Sequence, residues 1–353
     1  MYYPPRRVSQ YFINITWTNH ISSFWYEITM ATRWGIISAG GISSKFVSAL
    51  VKQNPNEHKV VAIAARSKEK AQAFADKFSI QTAYGSYEEF VQNPDVEVVY
   101  IGSIHPEHHK LSVLCLNAGK HVLCEKPVTM TVAAAKELFA LAKEKKLFFM
   151  EGFWTRTFPV FDQVRRELES GTLGDIKMVT AKFCVNNYSN ERIHKKELGG
   201  GGLLDLGCYT VMFADFVFNE KPEKISVEGQ LSESGVDIGA AITLRFSGGR
   251  IASLVYNTTT KHGDNAATIL GSEGSIRIEP PFWAPTKLSS PMGTFDFKEN
   301  LGFQYEQRCV RECLQKGLLE CPLITHENSL NIMGVIETVL NELGVKYDFP
   351  YTV

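Results

Sequence analysis

The sequence predicts an α/β fold in two parts. An open parallel sheet flanked by helices comes first, and an α+β domain with a large, mostly antiparallel open sheet follows. Three observations predict it. Between residues 33 and 150, strand-sized apolar runs alternate with segments whose apolar positions recur at helical spacing. A glycine-containing turn, Ser38-Ala39-Gly40-Gly41-Ile42-Ser43, joins the first run to the first helical stripe. Beyond about Phe153 the runs lengthen, and Gly-rich turns such as Ser247-Gly248-Gly249 separate them, as hairpins require.

Each element has its own signal. Arg33–Gly40 is an apolar run stopped by glycine, and Ile42–Gln53 carries helical positions at Phe46, Leu50 and Val51. His58–Arg66 is apolar without alternation, as for a strand covered on both faces. Lys68–Phe78 shows a stripe at Ala71, Phe74, Ala75 and Phe78. Ala83-Tyr84 is a short strand, and Ser86 caps a helix over Tyr87–Val91, with Glu89 placed for a capping box. Val96–Gly102 reads as strand, and Pro106–Asn117 as a helix opened by proline and closed by Gly119. Strand, helix and strand follow at His121–Cys124, Thr131–Lys145 and Leu147–Met150.

In the second part, Phe158–Glu169 and Leu203–Phe218 read as helices. Strands are expected at Ile176–Val185, Lys224–Leu231, Ile238–Phe246, Arg250–Thr258, Ala266–Leu270 and Ser275–Ile278. Tyr305–Gly317 and His326–Leu343 are closing helices, expected to pack back on the first domain. We divide the chain into an extension (1–29), a dinucleotide-binding domain (30–152) and a substrate and dimerisation domain (153–353). Residues 1–29 show neither helical nor alternating periodicity and lack a secretory leader's apolar core. We read them as a dispensable, poorly ordered extension, and expect Met30 to be the true start.

Composition excludes several classes. Lys+Arg is 37 and Asp+Glu 38 in 353 residues, so the near-neutral chain has no basic excess for nucleic acid. No apolar run approaches the roughly 20 residues of a membrane helix. The seven cysteines include no C-x-x-C pair, and Cys115, Cys124 and Cys208 lie in apolar runs. Buried, reduced thiols in a cytoplasmic protein are the expectation.

The glycine turn is a partial dinucleotide fingerprint. Gly40 holds the middle position of G-x-G-x-x-G, while Ser38 and Ser43 stand at the outer ones, and Ile42 opens the helix. With the following β-α-β run it indicates a Rossmann-type sheet, its cofactor pyrophosphate at the helix start. At the end of the second strand, an NAD site usually carries Asp or Glu for the ribose 2′-hydroxyl. Here the residues are Ala64-Ala65-Arg66-Ser67, with Lys70 one turn on. Arginine pairs a 2′-phosphate in bidentate fashion and serine adds a hydrogen bond, so the expected cofactor is NADP. Glu125-Lys126-Pro127 follows the fifth strand, where a lysine points into the cofactor crevice.

These residues resemble the glucose–fructose oxidoreductase/inositol dehydrogenase (Gfo/Idh/MocA) family, from Met30 to the closing helices. Matching stretches include Arg33-Trp34-Gly35-Ile36, Val122-Leu123-Cys124-Glu125-Lys126-Pro127, Trp154-Thr155-Arg156 and Leu203-Leu204-Asp205-Leu206-Gly207 with Tyr209. Within the family the chain is most similar to the branch that oxidises trans-dihydrodiols of aromatic hydrocarbons and D-xylose with NADP. Many relatives have His where this chain has Tyr209, and the dihydrodiol branch has Tyr.

The resemblance implies that Lys126 and Tyr209 carry the chemistry, with Asp205 orienting Lys126 or the substrate. It also implies that His105 and His108 lie at the cofactor crevice beside Glu125, and that the protein is a homodimer. A free tyrosine titrates near ~10, so as a base it needs a nearby cation, which Lys126 supplies. Trp154, Phe153 and Phe183 are read as walls for a ring or sugar face, although a core role suits Phe183 equally. The partner is a small diol or aldose; no metal, nucleic acid or membrane is expected. Another sugar or inositol dehydrogenase, or a non-catalytic NADP-binding regulator, is the alternative.

Overall fold

The computed structural model describes residues 30–261, 263–297 and 302–349; the reading of residues 1–29 falls outside them. The first sheet is built in strict alternation. Its elements are β1 (Thr32–Ile37), α1 (Gly41–Leu50), β2 (His58–Ala64), α2 (Lys68–Phe78), β3 (Thr82–Tyr84), α3 (Tyr87–Val91) and β4 (Val98–Ile101). A 3-10 turn (His105–Glu107) then leads into α4 (His108–Asn117), followed by β5 (His121–Glu125), α5 (Val132–Lys145) and β6 (Phe149–Gly152). The six strands are all parallel in the order β3-β2-β1-β4-β5-β6. That order reverses between β1 and β4, so their carboxyl ends open the crevice where such sheets bind ligands.

Local chemistry explains the boundaries. Ser67, Ser86 and Thr131 each accept an N–H from the first turn of α2, α3 and α5. Ser86 Oγ accepts the Glu89 N–H at 3.2 Å, as expected of the N3 residue, and the Ser86 hydroxyl donates to the Glu88 carboxylate at 2.9 Å. β4 is buried on both faces, as its unbroken Val-Val-Tyr-Ile run requires.

The second part contains α6 (Pro159–Glu169), β7 (Ile176–Cys184), α7 (Glu191–His194), α8 (Cys208–Phe218), β8 (Lys224–Leu231), β9 (Asp237–Arg245) and β10 (Ile251–Asn257). It continues with β11 (Ala267–Gly271), β12 (Ser275–Ile278), β13 (Lys287–Ser290), β14 (Gly293–Asp296), α9 (Phe303–Gln315) and α10 (His326–Glu342). Eight strands lie in the order β14-β13-β12-β11-β7-β10-β9-β8. All neighbours are antiparallel except β7 and β10.

The sequence reading missed β13, β14 and α7. Each is four residues long, too short for a period to emerge. α8 and the helical turns before it cover one sheet face. By length and composition, Lys196–Phe218 could cross a membrane, but 89% of its apolar window is buried inside the fold. It therefore reads as a core helix.

Candidate active site

β5 ends at Glu125, and the turn after it is clamped from two sides. The Glu151 carboxylate accepts the Val128 N–H at 2.8 Å, and His108 reaches the Pro127 carbonyl at 2.8 Å through Nδ1. Lys126 is thereby held at the crest of the sheet, with its Nζ donating to the Asp205 carbonyl at 2.7 Å and lying 3.5 Å from Asp205 Oδ1. Asp205 belongs to a turn of π-helix (Leu203–Gly207) that runs straight into α8. This continuous helical path puts Asp205 and Tyr209 on the same side.

Two further groups fix Asp205. Arg192 Nη1 donates to Oδ1 at 2.8 Å and Asn187 Nδ2 to Oδ2 at 2.9 Å. Burial alone would raise the Asp205 pKa, but the charges of Lys126 and Arg192 outweigh it and hold the carboxyl well below the ordinary range. Sequence reading missed Arg192 and Asn187, because nothing in their local context ties them to residue 205.

Lys126 Nζ lies 4.9 Å from the centre of the Tyr209 ring. Burial drives the Tyr209 pKa well above that of a free phenol, and Glu125, Cys208 and Asp205 add to the rise. The Trp154 indole N–H, which has no hydrogen bond of good geometry, acts in the opposite sense. The resting site thus holds a protonated phenol beneath an ammonium.

His105 joins this cluster. Its Nδ1 lies 2.9 Å from the Gly199 carbonyl. Burial first, then His108, Lys126 and Arg192, push its pKa well below the ordinary value. A neutral ring donates from Nδ1 there and leaves Nε2 as an acceptor.

The aromatic wall is partly as expected. Phe183 lies 5.6 Å from Tyr209 and Phe153 5.9 Å, centroid to centroid. Phe183 also stacks on Trp283 at 3.5 Å, an aromatic partner the sequence reading did not find. Trp154 stacks on Phe303 of α9 at 4.5 Å.

Two expected cofactor residues are held by the protein's own groups. His108 is buried with both ring nitrogens on backbone carbonyls, Pro127 and Ser103, and burial lowers its pKa to about 4. It braces the lysine turn, a role its spacing from His105 could not reveal. Glu125 is also buried, accepting the Tyr100 hydroxyl at 2.6 Å.

The glycine turn lies at the amino end of α1. That helix has no side-chain cap, so its first N–H groups are left for an outside acceptor. Ser38 adopts φ +82°, the left-handed region where the fingerprint places glycine. Ser38→Gly should therefore relieve strain and stabilise the fold by about 1 kcal/mol, measured by urea denaturation. Alongside lies a groove of about 410 Å³ lined by Ala39, Gly40, Gly41, Ser44, Lys70 and Lys77 among others. None of Lys126, Asp205 and Tyr209 lines it. Arg66 is exposed where β2 passes into α2, and the Ser67 hydroxyl caps α2 and donates to Glu69 at 2.6 Å.

Comparison with known proteins places this geometry. The oxidoreductase-family model with an NAD-binding Rossmann fold matches residues 32–153, and a GFO/IDH/MocA C-terminal domain model matches 161–277. The chain is 44% identical over 330 residues to the trans-1,2-dihydrobenzene-1,2-diol dehydrogenase of Xenopus tropicalis, covering 90% of this chain and 100% of that one. It is 41% identical to the Homo sapiens protein of that name, covering 90% and 98% of the two chains. Among solved structures, a 3-ketoreductase of Actinomadura kijaniata in complex with NADP and TDP-benzene matches with a TM-score of 0.77 and 26% identity, over 88% of this chain and 97% of that one. The aldose-aldose oxidoreductase of Caulobacter crescentus matches in fold, with a TM-score of 0.79 at 20% identity over 89% and 98%. With both family models matched in sequence order and relatives above 40% identity aligned over nearly their whole length, the chain belongs to the Gfo/Idh/MocA oxidoreductase family.

Proposed function

We propose that the protein is an NADP-dependent dehydrogenase that oxidises trans-dihydrodiols of aromatic hydrocarbons to catechols and D-xylose to xylonolactone, working as a cytoplasmic homodimer. The observation that carries this reading is the grouping of Lys126, Asp205 and Tyr209 beside an aromatic wall. The relatives named as dihydrodiol dehydrogenases support the substrate class.

The residues present fit the cofactor. The uncapped start of α1 suits a pyrophosphate, Lys70 and Lys77 line the groove beside it, and Arg66, exposed after β2, is the cation for the 2′-phosphate. NADP, when bound, accepts the hydride. Lys126 is anchored by Asp205 and keeps further N–H donors for the substrate oxygen. Tyr209 takes the hydroxyl proton during oxidation and returns one during reduction. The aromatic wall offers a flat apolar surface to a ring. The deciding assay is NADPH formation on benzene dihydrodiol and D-xylose side by side; no turnover of either would reject the reading.

Arg66→Ala should weaken NADP several-fold and leave NAD little changed. Equal losses for both would remove Arg66 from the 2′-phosphate.

The pH dependence follows from the raised Tyr209 pKa. The acceptor form of the phenol grows only as pH rises, so kcat/KM for oxidation should climb steadily from about pH 6 to 9. A flat profile would take the phenol out of the proton step.

The dimer reading rests on the sheet face opposite α8. Thr268, Thr180, Ser253 and Thr243 line up across β11, β7, β10 and β9, small and uncharged. Ser253→Arg should convert the dimer to monomer in light scattering, and a wild-type monomer would contradict the assignment.

A further inference from the structure

Three of the seven cysteines meet at α9 and the loop that follows it. Cys309 and Cys313 stand one turn apart on α9, and Cys321 comes from the loop between α9 and α10. Their sulfurs all lie within 4.8 Å of one another, and Cys309 Sγ is 3.0 Å from Cys321 Sγ. Cys321 is fully buried and Cys313 nearly so, whereas Cys309 is partly exposed.

We propose that Cys309 and Cys321 form a reversible dithiol–disulfide pair that hydroperoxides oxidise, with Cys313 as an auxiliary thiol that stays reduced. Geometry separates this from a metal site. Two thiolates on one zinc, each at ~2.3 Å, sit roughly 3.7 Å apart. The observed 3.0 Å is closer than co-ligands sit, and a bond at about 2.05 Å needs only a small further approach. Oxidation also removes the negative charge that Cys321 places beside the buried Glu306, whose orphaned carboxyl oxygens have no hydrogen-bond partner, because a disulfide is neutral.

The surroundings equip Cys321 to resolve the pair. The S–H groups of Cys309 and Cys313 donate to it, and the N–H groups of Leu323 and Ile324 assist, so its pKa falls to about 3 against the cost of burial. Arg165 is close enough for the Cys321 charge to act on it.

Hydrogen bonds to Cys313 and Cys321 hold the Cys309 thiol protonated, so its proton passes to the Cys321 thiolate only as the Cys309 sulfur attacks the hydroperoxide. The O–O bond breaks in that step, and a Cys309 sulfenic acid and an alkoxide form. The alkoxide takes the proton from Cys321 and leaves as the alcohol, which restores the Cys321 thiolate. Cys321 sulfur attacks Cys309 sulfur, the S–O bond breaks, and the departing hydroxide takes a proton from solvent and leaves as water. The two sulfurs together lose two electrons, and the peroxide gains them.

The test treats the full chain with tert-butyl hydroperoxide, then denatures and alkylates it. The expected product carries five alkylated cysteines instead of seven, weighs about 2 Da less before alkylation, shows a 309–321 cross-link in peptide mapping, and reverts with dithiothreitol. Cys321→Ser and Cys309→Ser should each abolish the cross-link, while Cys313→Ala should keep it. Near-UV circular dichroism confirms the fold of each variant. Seven alkylated cysteines in the treated wild type would overturn the proposal. So would stepwise over-oxidation without a cross-link, loss of the cross-link in a folded Cys313→Ala, or stoichiometric zinc held by all three thiols.

Discussion

Tyr209→Phe should lower the turnover of dihydrodiol oxidation by roughly 10²–10⁴-fold, the usual worth of a positioned acid–base group. The ring stays packed between Phe153 and Phe183, so the apolar wall keeps its shape. Among the described residues the Trp154 indole N–H is the hydrogen-bonding group at the hydroxyl, in poor geometry, so its removal orphans no strong donor and should cost little stability. NADP affinity should change far less than turnover. The measurements are kcat, the dissociation constant of NADP by fluorescence, and the pH profile of kcat/KM. In the variant the alkaline rise should flatten along with the loss of rate, because the group that titrates is gone. Near-normal turnover would move the proton acceptor elsewhere, and His105 stands ready as a neutral imidazole with Nε2 unprotonated.

What the sequence disclosed, and what it did not, follows from the range of the interactions. α2, α3 and β8 appear at their expected limits because period and caps are local properties. Lys126 was legible because the end of a parallel strand fixes where a side chain goes. Asp205 and Tyr209 were legible by family resemblance, and the π-helical turn that brings them together has no separate sequence signal. Arg192 and Asn187 reach Asp205 from an irregular segment, and only the folded path of the chain selects them from other polar residues. His108 illustrates the converse. Its spacing from His105 suggests a crevice pair, yet the first turn of α4 points it at the carbonyls of Ser103 and Pro127. Ser38 is a subtler case, a residue type that hides a glycine conformation.

Lys126→Met should cost at least as much turnover as Tyr209→Phe, because one ammonium serves two ends. It binds the Asp205 carbonyl at 2.7 Å and lies 4.9 Å from the Tyr209 ring centre. Without that positive charge near the ring, less opposes burial and the nearby carboxylates, and deprotonation of the phenol becomes harder still. The substrate oxygen also loses its cationic partner. The fold should survive, since Asp205 keeps Arg192 at 2.8 Å and Asn187 at 2.9 Å. Lys126→Arg should recover little, because a planar guanidinium cannot occupy the place of a compact ammonium held at this depth. The sharper test is the double variant. If lysine and tyrosine work as a unit, Lys126→Met with Tyr209→Phe should be little slower than the slower single variant. Losses that multiply would instead show two independent contributions, and the ammonium would then be a substrate anchor with no part in tuning the phenol.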